Sequence, residues 1–180
     1  MSRTKNATKV IVLIALLTAT LTGGKFALSS IPNVEIVTLL VMVYTVVFGL
    51  KISLPTVLIF VTLEIFLFPI NTWVVSYYVY WPMLAIITRL CVKLIEKNKY
   101  LFPAIIAGVM TLFFGVLTSF VDACFYAGGE EILSMFVAIY VKGVTFFIIH
   151  FISNVIVLAV AFVPLTKLLT KLKERFFANN

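Results

Sequence analysis

Long apolar runs separated by short polar breaks dominate the chain, and the breaks recur at the interval that a membrane-crossing helix requires. A helix rises about 1.5 Å per residue, so about 20 residues cross a hydrocarbon core roughly 30 Å thick. On that ruler the pattern predicts six helices, over 10–30, 34–50, 53–69, 74–95, 101–125 and 133–165. The last is too long for one upright crossing and must tilt, bend or begin along the interface. The connections are short, so residues 1–180 are expected to form a single all-α membrane domain, a six-transmembrane-helix bundle.

Composition agrees with the pattern: 63% of the residues are apolar, 12% are charged, and the mean hydropathy is +1.18. A soluble domain of this size needs a wet surface that such a composition does not supply. Charge then orients the bundle. Every Lys and Arg except Lys25 and Lys142 falls before span one, between spans two and three, around the connection after span four, or in the tail. The positive-inside rule assigns that side, and with it both termini, to the cytoplasm. Glu35, Glu64, Asp122, Glu130 and Glu131 fall toward the other side. The net charge of +7 is therefore a topology signal, and no nucleic-acid partner is expected. A basic start followed by apolar and small residues over 3–22 also has the form of a secretory signal, whose removal would leave five spans. Cys91 and Cys124 belong to opposite ends of their helices, which predicts neither a disulfide nor a metal site.

Four segments carry candidate chemistry. In span one Ala15, Ala19, Gly23 and Ala27 recur every four residues, a stripe without bulky side chains that serves either packing within the bundle or docking on a separate subunit. Pro32 and Asn33 break the chain at the outer surface, where Asn33 and Glu35 face the mouth of the bundle. Pro69 and Asn71 supply a turn and an N-cap. Beyond them Trp73, Tyr77, Tyr80 and Trp81 share one face, and Tyr78 lies among them. An interfacial aromatic belt accounts for part of that cluster, and a platform for a flat or bulky organic ligand accounts for the one-sidedness. Pro82 is expected to kink the helix. In the last span Gly143, Phe147, His150 and Asn154 follow at i, i+4, i+7 and i+11, with a titratable ring and an amide on an apolar helix. These two either tie helices together or bind a ligand, and Lys25 and Lys142 either snorkel or pair with Glu35, Glu64, Asp122 or an anionic ligand.

The order of these features resembles the substrate-binding S component of energy-coupling factor (ECF) transporters. The residues that carry the resemblance are Ala15-xxx-Ala19 in the first helix, the outer run Ile31-Pro32-Asn33-Val34-Glu35-Ile36-Val37-Thr38, and Phe48-Gly49 closing span two. They are followed by Gly143, Phe147, His150 and Ser153-Asn154 ahead of Pro164-Leu165. The resemblance implies extracellular capture of a vitamin or related micronutrient in a multi-pass protein of a prokaryotic cell membrane. It also implies association with a membrane coupling protein (T component) and two cytoplasmic ATPases. The ligand would meet Asn33, Glu35, Trp73, Tyr77, Tyr78, Trp81, Lys142, Phe147, His150 and Asn154, and the coupling protein would dock on Ala15, Ala19 and Gly23. The aromatic segment and the His/Asn face point first to cobalamin or another corrinoid, then to pantothenate, riboflavin or a pyridoxine-type vitamin.

Catalysis is not expected of the chain. It has one histidine and lacks both His-Glu-x-x-His and Gly-x-Ser-x-Gly, so no catalytic residue, metal or cofactor is assigned. Nor is there a Gly-x-x-x-x-Gly-Lys-Ser/Thr loop, so ATP hydrolysis would come from partner subunits. A stand-alone carrier or channel is the alternative from a different class.

Overall fold

A computed structural model describes residues 2–69, 71–129 and 131–178; Glu130 lies outside them. The elements in order are α1 (Ser2–Leu28), α2 (Val37–Phe48), α3 (Leu50–Leu67), α4 (Thr72–Leu90), α5 (Val92–Lys97), α6 (Leu101–Tyr126) and α7 (Ile132–Ala178), with no strand among the described residues. Four helices are long and apolar enough to cross a membrane: Asn6–Leu28, Leu50–Leu67, Leu101–Tyr126 and Ile132–Ala178. α2, with 12 residues, is shorter than a crossing needs, and Ser76, three tyrosines and Arg89 dilute the hydropathy of α4.

Three boundaries differ from the sequence expectation. α2 and α3 meet at the single residue Gly49, whose φ of 76° stops one helix and starts the next, so Lys51 falls in the first turn of α3. Glycine takes that conformation at little cost. The predicted span 74–95 ends at Leu90, past Pro82, and a separate short helix follows Cys91. The predicted span 133–165 is part of a helix that continues to Ala178, because Leu165, Leu169 and Phe176 keep an apolar stripe packed on the core beyond Pro164.

The outward face differs from that of a water-soluble bundle, while the interior holds an apolar core together with several hydroxyls. Phe66, Leu90, Leu133 and Val160 are at least 70% exposed, whereas Thr38, Thr45, Ser53, Thr56, Ser76, Thr88 and Thr111 are buried. Lipid tails suit the first group, and of the buried hydroxyls those of Thr38, Ser53 and Ser76 have no hydrogen-bond partner in the protein. Thr45, Thr56, Thr88 and Thr111 donate to the carbonyls four residues back at 2.7–2.8 Å. Other polar side chains tie helices together: Thr20 and Tyr44 share a hydrogen bond of 2.6 Å, Thr62 and Tyr78 one of 2.8 Å, and Thr72 donates to Asp122 at 2.5 Å. Gly108 and Gly115 let α7 approach α6 closely, with the rings of Phe151 and Phe147 occupying the space that a methyl group would need.

The start of α1 and the end of α7 lie together, since Lys9 donates to the Phe176 carbonyl at 3.4 Å and Lys173 to the Val47 carbonyl at 2.6 Å. The loop 29–36, the start of α4 and the last turns of α6 gather at the opposite end, where the candidate site is found.

Candidate functional site

A cavity of about 330 Å³ opens between the α1–α2 loop, α4, α6 and α7. α1 contributes Lys25, the loop gives Asn33, Val34 and Glu35, and α2 gives Val37. α4 adds Trp73, Tyr77 and Trp81, α6 adds Phe114 and Thr118, and α7 adds Phe146 and His150.

Local rules place each side chain. Asn33 takes a φ of 64°, a left-handed conformation that asparagine tolerates better than most residues, and this turns the chain back toward the bundle. Glu35 then stands just ahead of α2, where its Oε2 accepts the Thr38 amide at 2.9 Å in the manner of a helix cap. Its Oε1 lies 3.5 Å from His150 Nε2, an ion-pair distance that joins the loop to α7. Burial raises the Glu35 pKa, yet the His150 ring and Thr38 together outweigh it and hold the carboxyl below its ordinary range. Asn71 caps α4, accepting the Thr72 amide at 2.6 Å, and fixes the phase at which the aromatics emerge. Trp73, Tyr77 and Trp81 form a ladder of edge-on contacts, with centroids 4.9 and 5.4 Å apart. The His150 ring stands nearly perpendicular to that of Phe114, 5.6 Å away, and 6.0 Å from Phe146.

Lys25 closes one side of the cavity. Its ammonium pairs with Glu64, which is fully buried in α3, and lies 4.7–5.0 Å from the ring centroids of Phe68, Trp73 and Tyr77. Three electron-rich faces and one carboxylate thus hold a cation inside an apolar setting.

No protein-family model, curated protein or solved structure matches the chain. Geometry alone therefore speaks for the site. Asn33 Oδ1, Glu35 Oε1, Trp81 Nε1 and both ring nitrogens of His150 are buried with no hydrogen-bond partner in the protein. Each such atom forfeits its solvation, and although others occur elsewhere in the bundle, these five gather on one cavity wall. Together with the stacked rings they offer acceptors, a donor and flat apolar faces to a small organic molecule. Among the described residues no group of three or more His, Cys, Asp or Glu could hold a metal ion.

Of the ligand-binding residues expected from sequence, the cavity brings together Asn33, Glu35, Trp73, Tyr77, Trp81 and His150. Four others stand elsewhere. Tyr78 is exposed and bonds to Thr62. Lys142 is exposed on α7. The Phe147 ring fills the space beside Gly115 and Gly143. Asn154, fully buried, donates to Thr111 Oγ1 at 2.9 Å and ties α7 to α6. Tyr80 is also turned inward, against Trp81 and Phe114.

Lys25, Phe114, Thr118 and Phe146 are wall residues absent from that expectation. A lysine in the last turn of an apolar helix is itself a signal, and Phe146 precedes His150 by one helical turn. Phe114 is one phenylalanine among 17 and carries no mark in sequence. On α1, Ala15, Ala19, Gly23 and Ala27 are all exposed, and Leu13, Leu17, Thr18 and Leu21 form the buried face. The small-residue stripe is therefore not used for packing within the chain.

Proposed function

We propose that the chain is the substrate-capture subunit of an ECF-type ABC importer in a prokaryotic cell membrane. In this reading α2 and α4 join the four long apolar helices as spans, giving six crossings with both termini in the cytoplasm. The reading rests above all on the cavity wall, where buried polar atoms lacking a partner stand beside aromatic faces at the end of the bundle away from the termini. Asn33, Glu35, Trp73, Tyr77, Trp81 and His150 contact the ligand, with Lys25 added to them.

The ligand is a vitamin or related micronutrient. A volume of about 330 Å³ is at the low end for small-molecule pockets, which favours pantothenate, riboflavin or a pyridoxine-type vitamin over a corrinoid. A corrinoid would require the loop 29–36 to move away from α7. The exposed stripe Ala15, Ala19 and Gly23 lets a helix of the coupling protein approach closely, and two cytoplasmic ATPases supply the energy.

Co-purification and transport test this together. The chain should be isolated with a membrane coupling protein and two ATPases, and proteoliposomes should accumulate the ligand only with that module and ATP. Replacing Ala15 or Ala19 with Trp should abolish uptake and leave ligand binding intact. The Lys25–Glu64 pair, ionisable and inside the candidate spans, favours a second reading as a stand-alone carrier. Accumulation by the purified chain alone, driven by an ion gradient, would establish that reading in place of the first.

A further inference from the structure

The end of the bundle away from the cavity holds a second recess, a groove of about 490 Å³ between α2, α5 and α7. Its floor is apolar, with Ile95, Phe162 and Val163 all buried. Its rim is cationic on balance: Lys99, Lys167 and Lys171 against Glu96 and Glu174. Lys167 and Lys171 are four residues apart on one helix, where like charges repel unless an anion lies between or beside them.

The level of the groove along α7 defines its surroundings. From Gly143 to Thr166 the helix carries no Asp, Glu, Lys or Arg, a run of about 36 Å at 1.5 Å per residue, which spans a hydrocarbon core. Lys167 opens the charged turns that follow, so the groove straddles the plane where acyl chains give way to headgroups. Thr166 stands at that plane. Thr170, one turn on, returns its hydroxyl to the Thr166 carbonyl at 2.8 Å, but Thr166 Oγ1 is buried with no partner in the protein. An unpartnered hydroxyl lining the same groove as three lysines and an apolar floor suits an anion that carries a hydrocarbon tail.

We propose that this groove binds an anionic phospholipid, with its phosphate on Lys99, Lys167, Lys171 and the Thr166 hydroxyl and an acyl chain against Phe162 and Val163. The rim's excess of one positive charge matches one phosphodiester, and Glu96 and Glu174 are placed to accept hydroxyl donors from a glycerol headgroup.

Native mass spectrometry of the full chain in detergent, with phosphatidylglycerol, phosphatidylethanolamine or phosphatidylcholine added, tests the proposal. The wild type should retain phosphatidylglycerol at least about 10-fold better than the other two, and K99Q/K167Q/K171Q should lose that preference. A control that removes as many charges from the same end outside the groove, K51Q/R89Q/K93Q, should keep it. T166V, which alters no charge, should weaken retention of phosphatidylglycerol and leave that of phosphatidylcholine unchanged. Equal loss in the control would reduce the effect to diffuse attraction and overturn the site. Equal retention of the three lipids would overturn it as well, and so would displacement of the lipid by millimolar inorganic phosphate, which would make the free anion the ligand.

Discussion

Replacing Lys25 with Met nearly preserves the shape of the side chain and deletes its charge, which leaves the Glu64 carboxylate in α3 without its countercharge. Glu64 is fully buried and its Oε1 has no hydrogen bond, so nothing in the described structure takes the place of the ammonium. Breaking one side of a buried pair costs about 3–5 kcal/mol. K25M is therefore predicted to lose about 3–5 kcal/mol relative to wild type. Glu64→Gln is the milder change. It leaves Lys25 over three rings at 4.7–5.0 Å, and contacts of that kind offset about 1–2 kcal/mol for a desolvated cation. Its cost should be about 2 kcal/mol. Reversible unfolding in mixed micelles, followed by helical circular dichroism at pH 7 without added ligand, measures all of these. The double variant K25M/E64L should be more stable than K25M. A K25M deficit under about 1 kcal/mol, or a double variant no better than K25M, would refute an energetically coupled pair.

The remaining predictions concern packing and the cavity wall. Gly115→Ala should destabilise the protein by about 1–3 kcal/mol, because a Cβ there would come within 2.8 Å of the Phe147 ring; adding Phe147→Leu should recover part of the loss in thermal unfolding. Asn154→Ala should lower stability by about 0.6–2 kcal/mol through loss of the Thr111 bond and leave the ligand carried through purification unchanged; loss of ligand from a folded variant would place Asn154 in the site. Glu35→Gln and His150→Ala should each weaken binding of that ligand by about 1–3 kcal/mol, read by native mass spectrometry or calorimetry, and unchanged affinity would make the Glu35–His150 contact purely structural.

How far the site could be read from sequence depended on contrast between a residue and its background. Asn33, Asn71 and His150 interrupt apolar or helical stretches, and in the structure Asn33 lies at a turn, Asn71 caps α4 and His150 is buried in the bundle. The spacing of Trp73, Tyr77 and Trp81 sufficed to put them on one face, because four-residue steps nearly close a helical turn. The same reasoning puts Tyr80 on that face, yet its ring is buried in the core beside Trp81 and Phe114 and does not line the cavity. Nor could spacing separate a polar residue that ties two helices from one that meets a ligand. His150 and Asn154 share a face of α7, and in the structure Asn154 donates to Thr111 on α6 whereas His150 lines the cavity. The Lys25–Glu64 pair spans 39 positions and follows from the packing of α1 on α3, a contact that no local pattern encodes. The charged tail of α7 reads in sequence as the end of a span, whereas the apolar stripe runs on beneath those charges.

That length has a mechanical side. α7 is an unbroken helix of 47 residues, so His150 in the cavity wall and Lys173 at the far end of the bundle belong to one rod. They are separated by about 35 Å of helix axis at 1.5 Å per residue. A rod of that length acts as a lever: a tilt of about 10° pivoting at His150 carries Lys173 sideways by about 6 Å on the same rise. That is enough to part Lys173 from the Val47 carbonyl, to which it now donates at 2.6 Å. A small rotation at the Glu35–His150 contact is therefore magnified, without any break in the helix, into rupture of a polar tie on the opposite side of the bundle.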